Sequence, residues 1–230
     1  MDPKFSKFLK SYPKNEDNVT HIIPKIGSYT IDKKGLQKFY KHVEKELFTR
    51  NKSYSIFEKL GETCSLVIDL DFKYKKTFTE RQYTEETIYE VIKLFFSKLD
   101  ELFNLEDNQY QVWIFEKPNI RKVENPKNTF LSKDGIHLVF PNIKAPKDIF
   151  KHLIELIHQD EDLFVEIMEK TSKSIPDNIT KDIVDKSIYS TNWMVYGSRK
   201  KDDTTKYALT QILSLDLQGE FKNYSIDFYL

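Results

Sequence analysis

The run Leu-Val-Ile-Asp-Leu-Asp-Phe at residues 66–72 places two carboxylates inside an apolar segment, which few folds can accommodate. The surrounding apolar residues predict a strand that is buried on at least one face. Because side chains alternate along a strand, Asp69 and Asp71 point to the same face, about 6–7 Å apart. Two adjacent carboxylates repel each other and are costly to desolvate. The segment therefore needs either a solvated second face or a bound cation.

A divalent cation such as Mg²⁺ or Mn²⁺ would remove the repulsion between Asp69 and Asp71. These ions bind hard oxygen ligands and keep coordination positions for substrate phosphates. The alternative is a strand whose second face is solvated, with two aspartates that contribute only to solubility. Taken alone, an Asp-x-Asp pair fits this alternative better, since the pattern is common. The other motifs decide between the two interpretations.

Composition narrows the class of protein. Of the 230 residues, 39% are hydrophobic and 14% aromatic, which excludes a disordered chain. Basic and acidic residues number 36 each, so any site for a polyanion has to be a local patch. The single cysteine, Cys64, excludes an internal disulfide framework and a cysteine-based zinc site. No signal-peptide pattern and no run of about 18 apolar residues occurs, so we expect an intracellular protein that is not secreted and does not span a membrane.

Hydrophobic periodicity predicts an α/β (α+β) fold, one compact unit with several antiparallel strands. Apolar residues at helical spacing indicate helices at 36–48, 88–103 and 149–168, the last broken near 159–162. Short apolar or alternating runs indicate strands at 54–57, 66–72, 111–116, 136–140, 193–196, 207–213 and 225–229. Thr84 is the expected N-cap of the second helix. The segment 117–133, rich in proline, asparagine and basic residues, is predicted to be a loop.

Glycine patterns exclude some common enzyme classes. The chain has six glycines, and none of them forms a P-loop or the glycine motif of dinucleotide-binding folds. The Gly-x-Ser-x-Gly element of serine hydrolases is missing as well. The chemistry therefore has to come from other residues.

A second motif lies at residues 132–140. Alternation puts its apolar residues in the core and His137 on the opposite face, while Gly135 lets another group approach the backbone closely. Lys133 and His137 suit a triphosphate, the lysine as a point charge and the histidine as a hydrogen-bond donor. Considered alone, His137 fits an ordinary core or surface histidine better, and Lys133 a solvated loop lysine.

A third motif places Asp185 after two apolar residues, where it could supply a third carboxylate. It is followed by the turn Gly-Ser-Arg-Lys at 197–200, whose Ser198, Arg199 and Lys200 offer a hydroxyl and two cations to an anion. Considered alone, the turn fits a hairpin with solvated charges better.

In this order, the motifs resemble those of the archaeo-eukaryotic primases, specifically the amino-terminal primase domain of primase-helicases from nucleocytoplasmic large DNA viruses. The acidic pair of that family matches Asp69 and Asp71, its small-x-His motif preceded by lysine matches Gly135 and His137, and its apolar-acidic motif matches Asp185. The segments 20–21, 27–31, 57–59 and 196–200 are also similar to the viral branch.

Two positions depart from the family pattern. Many relatives have serine where this chain has Gly135, so one phosphate hydrogen bond is lost or comes from the backbone. Cellular primase-polymerases have an arginine where this chain has Met194. Triphosphate contacts would then fall to Arg199 or to a basic residue of the 117–133 loop.

The resemblance implies an archaeo-eukaryotic primase catalytic core, with an α/β subdomain, an RNA-recognition-like subdomain and largely antiparallel sheets. It implies one catalytic domain over residues 1–230, at the amino terminus of a longer chain that carries a helicase region. The implied activity is DNA-dependent nucleotidyl transfer, synthesising or extending primers on single-stranded DNA during viral replication in the host cytoplasm or nucleus. The substrates would be nucleoside triphosphates, a template and a primer.

The resemblance also implies roles for individual residues. Two Mg²⁺ or Mn²⁺ ions would be held by Asp69, Asp71 and Asp185, which with His137 form the catalytic set. The nucleotide would be bound by Lys133, Gly135, His137, Ser198, Arg199 and Lys200. Template contact would fall to residues 73–76, the 117–133 loop and exposed aromatic rings.

Two other classes of function remain open from the residues. An Asp-x-Asp pair also occurs in metal-dependent enzymes of other classes, such as a glycosyltransferase or a nuclease. The chain could also be a catalytically silent nucleic-acid-binding module. Incorporation of nucleotides on a template distinguishes the three.

Overall fold

The computed structural model describes residues 1–123, 130–199, 205–216 and 218–226. In chain order, the helices and longer strands are α1 (Pro3–Lys10), β1 (His21–Ile23), β2 (Gly27–Tyr29), α2 (Lys33–Glu44), β3 (Phe57–Lys59), β4 (Thr63–Tyr74), α3 (Glu85–Leu102), β5 (Gln111–Glu116), β6 (Arg121–Lys122), β7 (Ser132–Pro146), α4 (Lys147–Gln159), α5 (Glu161–Thr171), α6 (Thr180–Ile183), β8 (Asn192–Met194), β9 (Ala208–Leu215) and β10 (Phe221–Asn223). The predicted fold class, mixed α and β with antiparallel sheets, is confirmed.

The chain divides into two compact units. The first consists of Met1–Gly61 and Thr191–Ala208, and the second of Glu62–Ser190 and Leu209–Leu230. Each unit thus joins segments that are far apart in the sequence.

The first unit contains a four-stranded antiparallel sheet in the order β2-β1-β3-β8. Its helices begin at aspartates, since Asp2 accepts a hydrogen bond from the backbone of Lys4 and Asp32 from that of Gly35. Helix α2 continues into a π-helical turn at Lys45–Thr49. The core is formed by buried apolar side chains, among them Phe5, Leu9, Phe39, Leu47 and Ile56.

The second unit contains a larger sheet in the order β10-β9-β5-β7-β4, with β6 paired to the start of β7. Strand β4 alternates as its sequence predicts, because Leu66, Ile68, Leu70 and Phe72 are at most 1% exposed. Helix α3 covers this apolar face, and the rings of its Phe95 and Phe96 contact Phe140 of β7. The opposite face of β4 carries the two aspartates.

Most predicted elements are found close to their predicted positions. Thr84 is the N-cap of α3, and its hydroxyl accepts a hydrogen bond from the backbone of Thr87. The break predicted near 159–162 is confirmed, because α4 ends at Gln159 and α5 begins at Glu161. Among the described residues, no helix combines the length and apolar character that crossing a bilayer requires.

The strand predicted at 54–57 is found later, at Phe57–Lys59. The backbone before it is bound to another segment of the first unit. Tyr54 accepts a hydrogen bond from the backbone of Arg199, and Ile56 accepts one from that of Val195. These contacts come from a distant part of the chain, so local periodicity could not place the strand.

The 117–133 segment is not all loop, because it contains β6 and the start of β7. Strand β7 runs from Ser132 to Pro146 instead of only 136–140, since it pairs with β4 over 132–140 and, after a shift in register, again over 144–146. Residues 124–129 of the predicted loop lie outside the described residues.

The last strand is β10 at Phe221–Asn223, and it replaces the strand predicted at 225–229. A turn in which Asp216 and Glu220 bond through their backbones starts the pairing with β9 at Phe221. Residues 225 and 226 are not in a strand, and residues 227–230 lie outside the described residues.

Candidate active site

The two carboxylates of the acidic pair lie on the face of β4 opposite to its apolar residues. Asp69 and Asp71 are partly exposed, whereas Leu70 and Phe72 between and after them are buried. Across the sheet, Asp69 is in register with His137 of β7, and Asp71 is in register with Gly135. Because directly opposed residues point to the same face, the first and second motifs share one surface.

His137 lies directly beside Asp69. Its Nε2 atom is 3.4 Å from Oδ1 of Asp69, and both side chains are largely buried, at 10% and 24% exposure. On the other side of β7, His137 is in register with Phe115 of β5. His137 is therefore placed to orient the Asp69 carboxylate and to donate a hydrogen bond from a fixed position.

Asp185 joins the same row from the other edge of β4. Val184 forms an antiparallel bridge with Leu70, and the backbone N–H of Asp185 donates to the backbone carbonyl of Asp69 at 3.2 Å. His158 of α4 lies 2.9 Å from the carbonyl oxygen of Val184 and supports the bridge. The structure thus brings together His137, Asp69 and Asp185, which come from three separate motifs.

The Asp185 carboxylate is turned toward the following 3₁₀ helix, Lys186–Tyr189. It accepts hydrogen bonds from the backbone N–H and the hydroxyl of Ser187, both at 2.7 Å. No group of three or more His, Cys, Asp or Glu side chains within the described part of the chain is arranged to hold a metal ion. A site shared by Asp185 and the acidic pair therefore requires the Asp185 side chain to rotate away from Ser187.

The donor set nevertheless fits Mg²⁺ or Mn²⁺. All three candidate ligands are carboxylates, which are the hard oxygen donors that these ions prefer. Asp69 and Asp71 share a face and are held by a rigid strand, and the backbone of Asp185 is bonded to that of Asp69. The role of the three aspartates as metal ligands stays a prediction.

Three cations follow the carboxylates on the same face of the sheet. Lys73 of β4 is in register with Lys133 of β7, and Lys133 is in register with Arg121 of β6. This register concentrates positive charge on one part of the sheet, which suits the binding of an anion. The basic row lies two positions beyond Asp71, which corresponds to about 7 Å along a strand. Gly135, which has no side chain, lies between Lys133 and His137.

Asn178, which the sequence analysis did not single out, fastens the edge of β4 beneath the acidic pair. Its side-chain amide donates to the backbone carbonyl of Asp71 at 2.8 Å, and its side-chain oxygen accepts from the backbone N–H of Lys73 at 2.9 Å. Asp177 extends this contact by accepting from the backbone of Lys75 at 2.7 Å. These bonds satisfy backbone groups that an edge strand would leave unpaired.

Arg81, also not singled out, connects β7 and β5 on the helix-covered face. Its guanidinium binds Asp134 at 3.1 Å, Glu116 and the backbone carbonyl of Lys117. Asp134 also accepts from the backbone N–H of Gly135 at 2.9 Å. Burial raises the pKa of Asp134 above its ordinary value, although Arg81 acts in the opposite direction. The network holds the strand that carries His137.

The basic turn belongs to the first unit. The Ser198 hydroxyl is 2% exposed and accepts from the backbone N–H of Ile56 at 3.3 Å, so it has a structural task. Arg199 donates to the side-chain oxygen of Asn51 at 3.3 Å. Lys200 lies outside the described residues. The predicted roles of these three residues in nucleotide binding stay predictions.

Comparison with known proteins identifies what the chain is similar to. A family model described as "C962R protein N-terminal AEP domain" matches residues 20–213. The chain is 28% identical over 214 residues to "Putative helicase L207/L206" of Acanthamoeba polyphaga mimivirus, which covers 90% of this chain and 21% of that protein. It is 26% identical over 208 residues to "Putative helicase 184R" of Invertebrate iridescent virus 6, which covers 84% of this chain and 21% of that protein. The chain spans about a fifth of the length of these curated relatives.

Proposed function

Since this chain belongs to the family of C962R-type amino-terminal archaeo-eukaryotic primase (AEP) domains, we propose that it is a nucleotidyltransferase that makes or extends primers on single-stranded DNA. Family membership supports a primase-type function. We also propose the template, the substrates and the residues that act on them. They rest on the arrangement of the second unit.

The observation that carries the proposal is one row of residues across three neighbouring backbone segments. His137, Asp69 and Asp185 lie side by side, and Asp71 follows on the same face. A strand with a merely solvated face needs no histidine against its acid and no third acid beside it. The basic row of Lys73, Lys133 and Arg121 supplies positive charge for a negatively charged ligand.

The residues divide the chemistry between a carboxylate end and a cationic end. Asp69, Asp71 and Asp185 would hold two Mg²⁺ or Mn²⁺ ions, which would lower the pKa of a primer 3′-hydroxyl and neutralise the departing pyrophosphate. His137 orients Asp69 and donates a hydrogen bond to the incoming triphosphate. Lys133 supplies a fixed positive charge to the same triphosphate, and Gly135 leaves space for a phosphate against the backbone. Fixed charges that favour the transition state account for most of such catalysis.

The proposed partners follow from the family and from the names of the relatives. Both relatives are named as helicases, so we place a helicase region on the same full-length polypeptide. The proposed partners are a single-stranded DNA template and a primer, and the reaction takes place where the virus replicates, in the host cytoplasm or nucleus. The described cations that we propose for template contact are Lys73, Lys75, Lys76, Arg121 and Lys122.

The test is an incorporation assay with the whole 230-residue chain. Labelled deoxy- or ribonucleoside triphosphates and Mn²⁺ are supplied with primed and unprimed single-stranded templates. Extension of the primer, or new short products on the unprimed template, supports the proposal. Cleavage of the DNA or turnover of a sugar nucleotide without any incorporation would overturn it in favour of another Asp-x-Asp enzyme. DNA binding with neither reaction would favour a silent binding module.

A further inference from the structure

The first unit has an exposed aromatic cluster, made of Phe48, Tyr196 and Lys206, that has no part in the proposed reaction. Phe48 is 41% exposed. Its ring centroid lies 5.3 Å from that of Tyr196, and the ammonium of Lys206 lies over the Phe48 ring at 4.4 Å from its centroid. The cluster thus combines an accessible aromatic face with a cation, two features that a planar ligand next to a negative charge can use.

The backbone holds Phe48 in place through unusual conformations. The residue lies in the π-helical turn Lys45–Thr49, a form that is rare and often marks functional sites. Asn51, just after the turn, has a φ of 48°, which is uncommon for a residue other than glycine. Gly197 has a φ of 82°, and a Cβ atom there would lie 2.5 Å from Cζ of Phe48. The chain thus adopts left-handed backbone conformations on both sides of an exposed ring.

Basic residues lie close to the cluster residues in the sequence, together with the exposed Glu44. Lys45 and Lys52 flank Phe48 in the sequence, and both are exposed. Arg199 follows Tyr196 by three residues and is bonded to Asn51. Since the whole chain has a formal net charge of zero, this is a local patch rather than a general property.

We infer that the Phe48 cluster is a stacking site for a base of single-stranded nucleic acid. Aromatic rings bind bases of any sequence by stacking, and neighbouring cations bind the phosphates between them. Bases within a duplex are stacked on each other, so the exposed ring selects unpaired bases. The choice of occupant rests on the proposed function, which requires a single-stranded template or primer end.

Lys206 has a defined part in this binding. A stacked base is held more strongly than an ammonium over an exposed ring, so the base displaces Lys206 from Phe48. The side chain is long and flexible, and the displaced ammonium remains close enough to bind a phosphate of the same strand. The lysine covers the ring in the free protein and contacts the strand in the complex.

The test compares two ligands of equal charge by fluorescence anisotropy, without metal or nucleoside triphosphate. One is a 20-nucleotide oligo-dT, and the other is a 20-unit abasic strand with the same number of phosphates. The whole wild-type chain is expected to bind oligo-dT about tenfold more tightly than the abasic strand. Phe48→Ala removes this preference, and Phe48→Trp keeps it. Lys206→Gln weakens binding of both strands and reduces the salt dependence.

Leu163→Ala is the matched control, since Leu163 of α5 is 43% exposed and belongs to the second unit. It is expected to retain the wild-type preference, and circular dichroism is used to verify that each variant is folded. A Phe48→Ala protein that still prefers oligo-dT overturns the inference, as does a wild type that binds both strands equally. In either case, the proposed function would still be supported if the wild type extends primers. The Phe48 cluster would then be better interpreted as a binding site for another protein. A wild type that binds neither strand overturns the inference, and the incorporation assay then decides separately on the proposed function.

Discussion

At the scale of single residues, the neighbours of the acidic pair decide how it is interpreted. Asp69 alone fits a solvated strand, but it lies 3.4 Å from His137 and is bonded through its backbone to Asp185. These three residues come from separate parts of the sequence, so their meeting in one row is a property of the fold. The row favours a site that binds charge over a face that is only hydrated.

Replacing one carboxylate should remove activity without removing the fold. Asp69→Asn keeps the size of the side chain but halves its capacity as an oxygen ligand, so we expect primer extension to fall at least about 100-fold. Asp71→Asn should have a similar effect. The control is Asp182→Asn, because Asp182 is exposed and close to Asp185 in the sequence. Extension rates and circular dichroism are compared for all variants. An Asp69→Asn chain with the wild-type rate would contradict the assignment.

A buried histidine in the first unit gives a prediction on stability. Burial lowers the pKa of His21 from its ordinary 6.5 to about 4, so the folded chain keeps the ring neutral where the unfolded chain protonates it. Folding should therefore lose stability as the pH falls from about 6.5 toward 4, by up to about 3 kcal/mol. Glu58, 3.9 Å away, has its pKa raised by burial and acts with the opposite sign.

The comparison of wild type with His21→Gln isolates the contribution of the histidine, because Glu58 is present in both proteins. Free energies of unfolding are measured by urea titration at pH 7.5 and pH 4.5. The advantage of the wild type over the variant should shrink by about 2 kcal/mol at the lower pH. An advantage that does not change with pH would show that His21 takes up its proton as readily in the folded chain as in the unfolded one.

At the scale of elements, β4 and β7 act as one platform whose two faces have different tasks. The apolar face packs against α3, and the polar face carries carboxylates at one end and cations at the other. The network of Arg81, Asp134 and Glu116 ties β7 to β5, while Asn178 ties down the outer edge of β4. The platform is therefore fixed on both sides of the candidate site.

Removal of Arg81 should destabilise the platform strongly. Arg81→Met leaves the Asp134 carboxylate, whose side chain is fully buried, without its cation, and we expect a loss of about 3 kcal/mol in the free energy of unfolding. The double variant Arg81→Met, Asp134→Asn removes the charge of Asp134 as well and should recover part of that loss, while Glu116 is unchanged in both variants. Urea unfolding of the single and double variants tests this. An equal loss in the free energy of unfolding for both variants would mean that the charge of Asp134 is not the cause of the destabilisation.

The sequence was informative where the information is local. Alternation placed Asp69, Asp71 and His137 on one face, and capping chemistry located the start of α3 at Thr84. Asn178 could not be recognised, since its bond to Asp71 spans 107 positions and nothing near it marks an edge strand. Arg81 was missed for the same reason, because its partner Asp134 lies 53 positions away. The rotamer of Asp185 depends on Ser187 and likewise has no signature in the pattern.

At the scale of the whole molecule, the chain consists of two units that offer different chemistry. The second unit carries the three acidic residues and a basic row, and the first carries the basic turn and the Phe48 cluster. Both lie within a region that makes up about a fifth of the relatives, and those relatives are named as helicases. In the proposals, the second unit binds the metal ions and contributes cations to the template, and the first contributes the basic turn to the nucleotide and the Phe48 cluster to the strand.

The most direct test of the central claim is anomalous X-ray diffraction from crystals of the chain grown with Mn²⁺ and a non-hydrolysable nucleoside triphosphate. We predict manganese peaks within about 2.3 Å of carboxylate oxygens of Asp69 and Asp71, with Asp185 rotated away from Ser187 to share them. The triphosphate should extend toward Lys133. Manganese and nucleotide bound elsewhere, with Asp185 still bonded to Ser187 and the acidic pair without metal, would contradict the account.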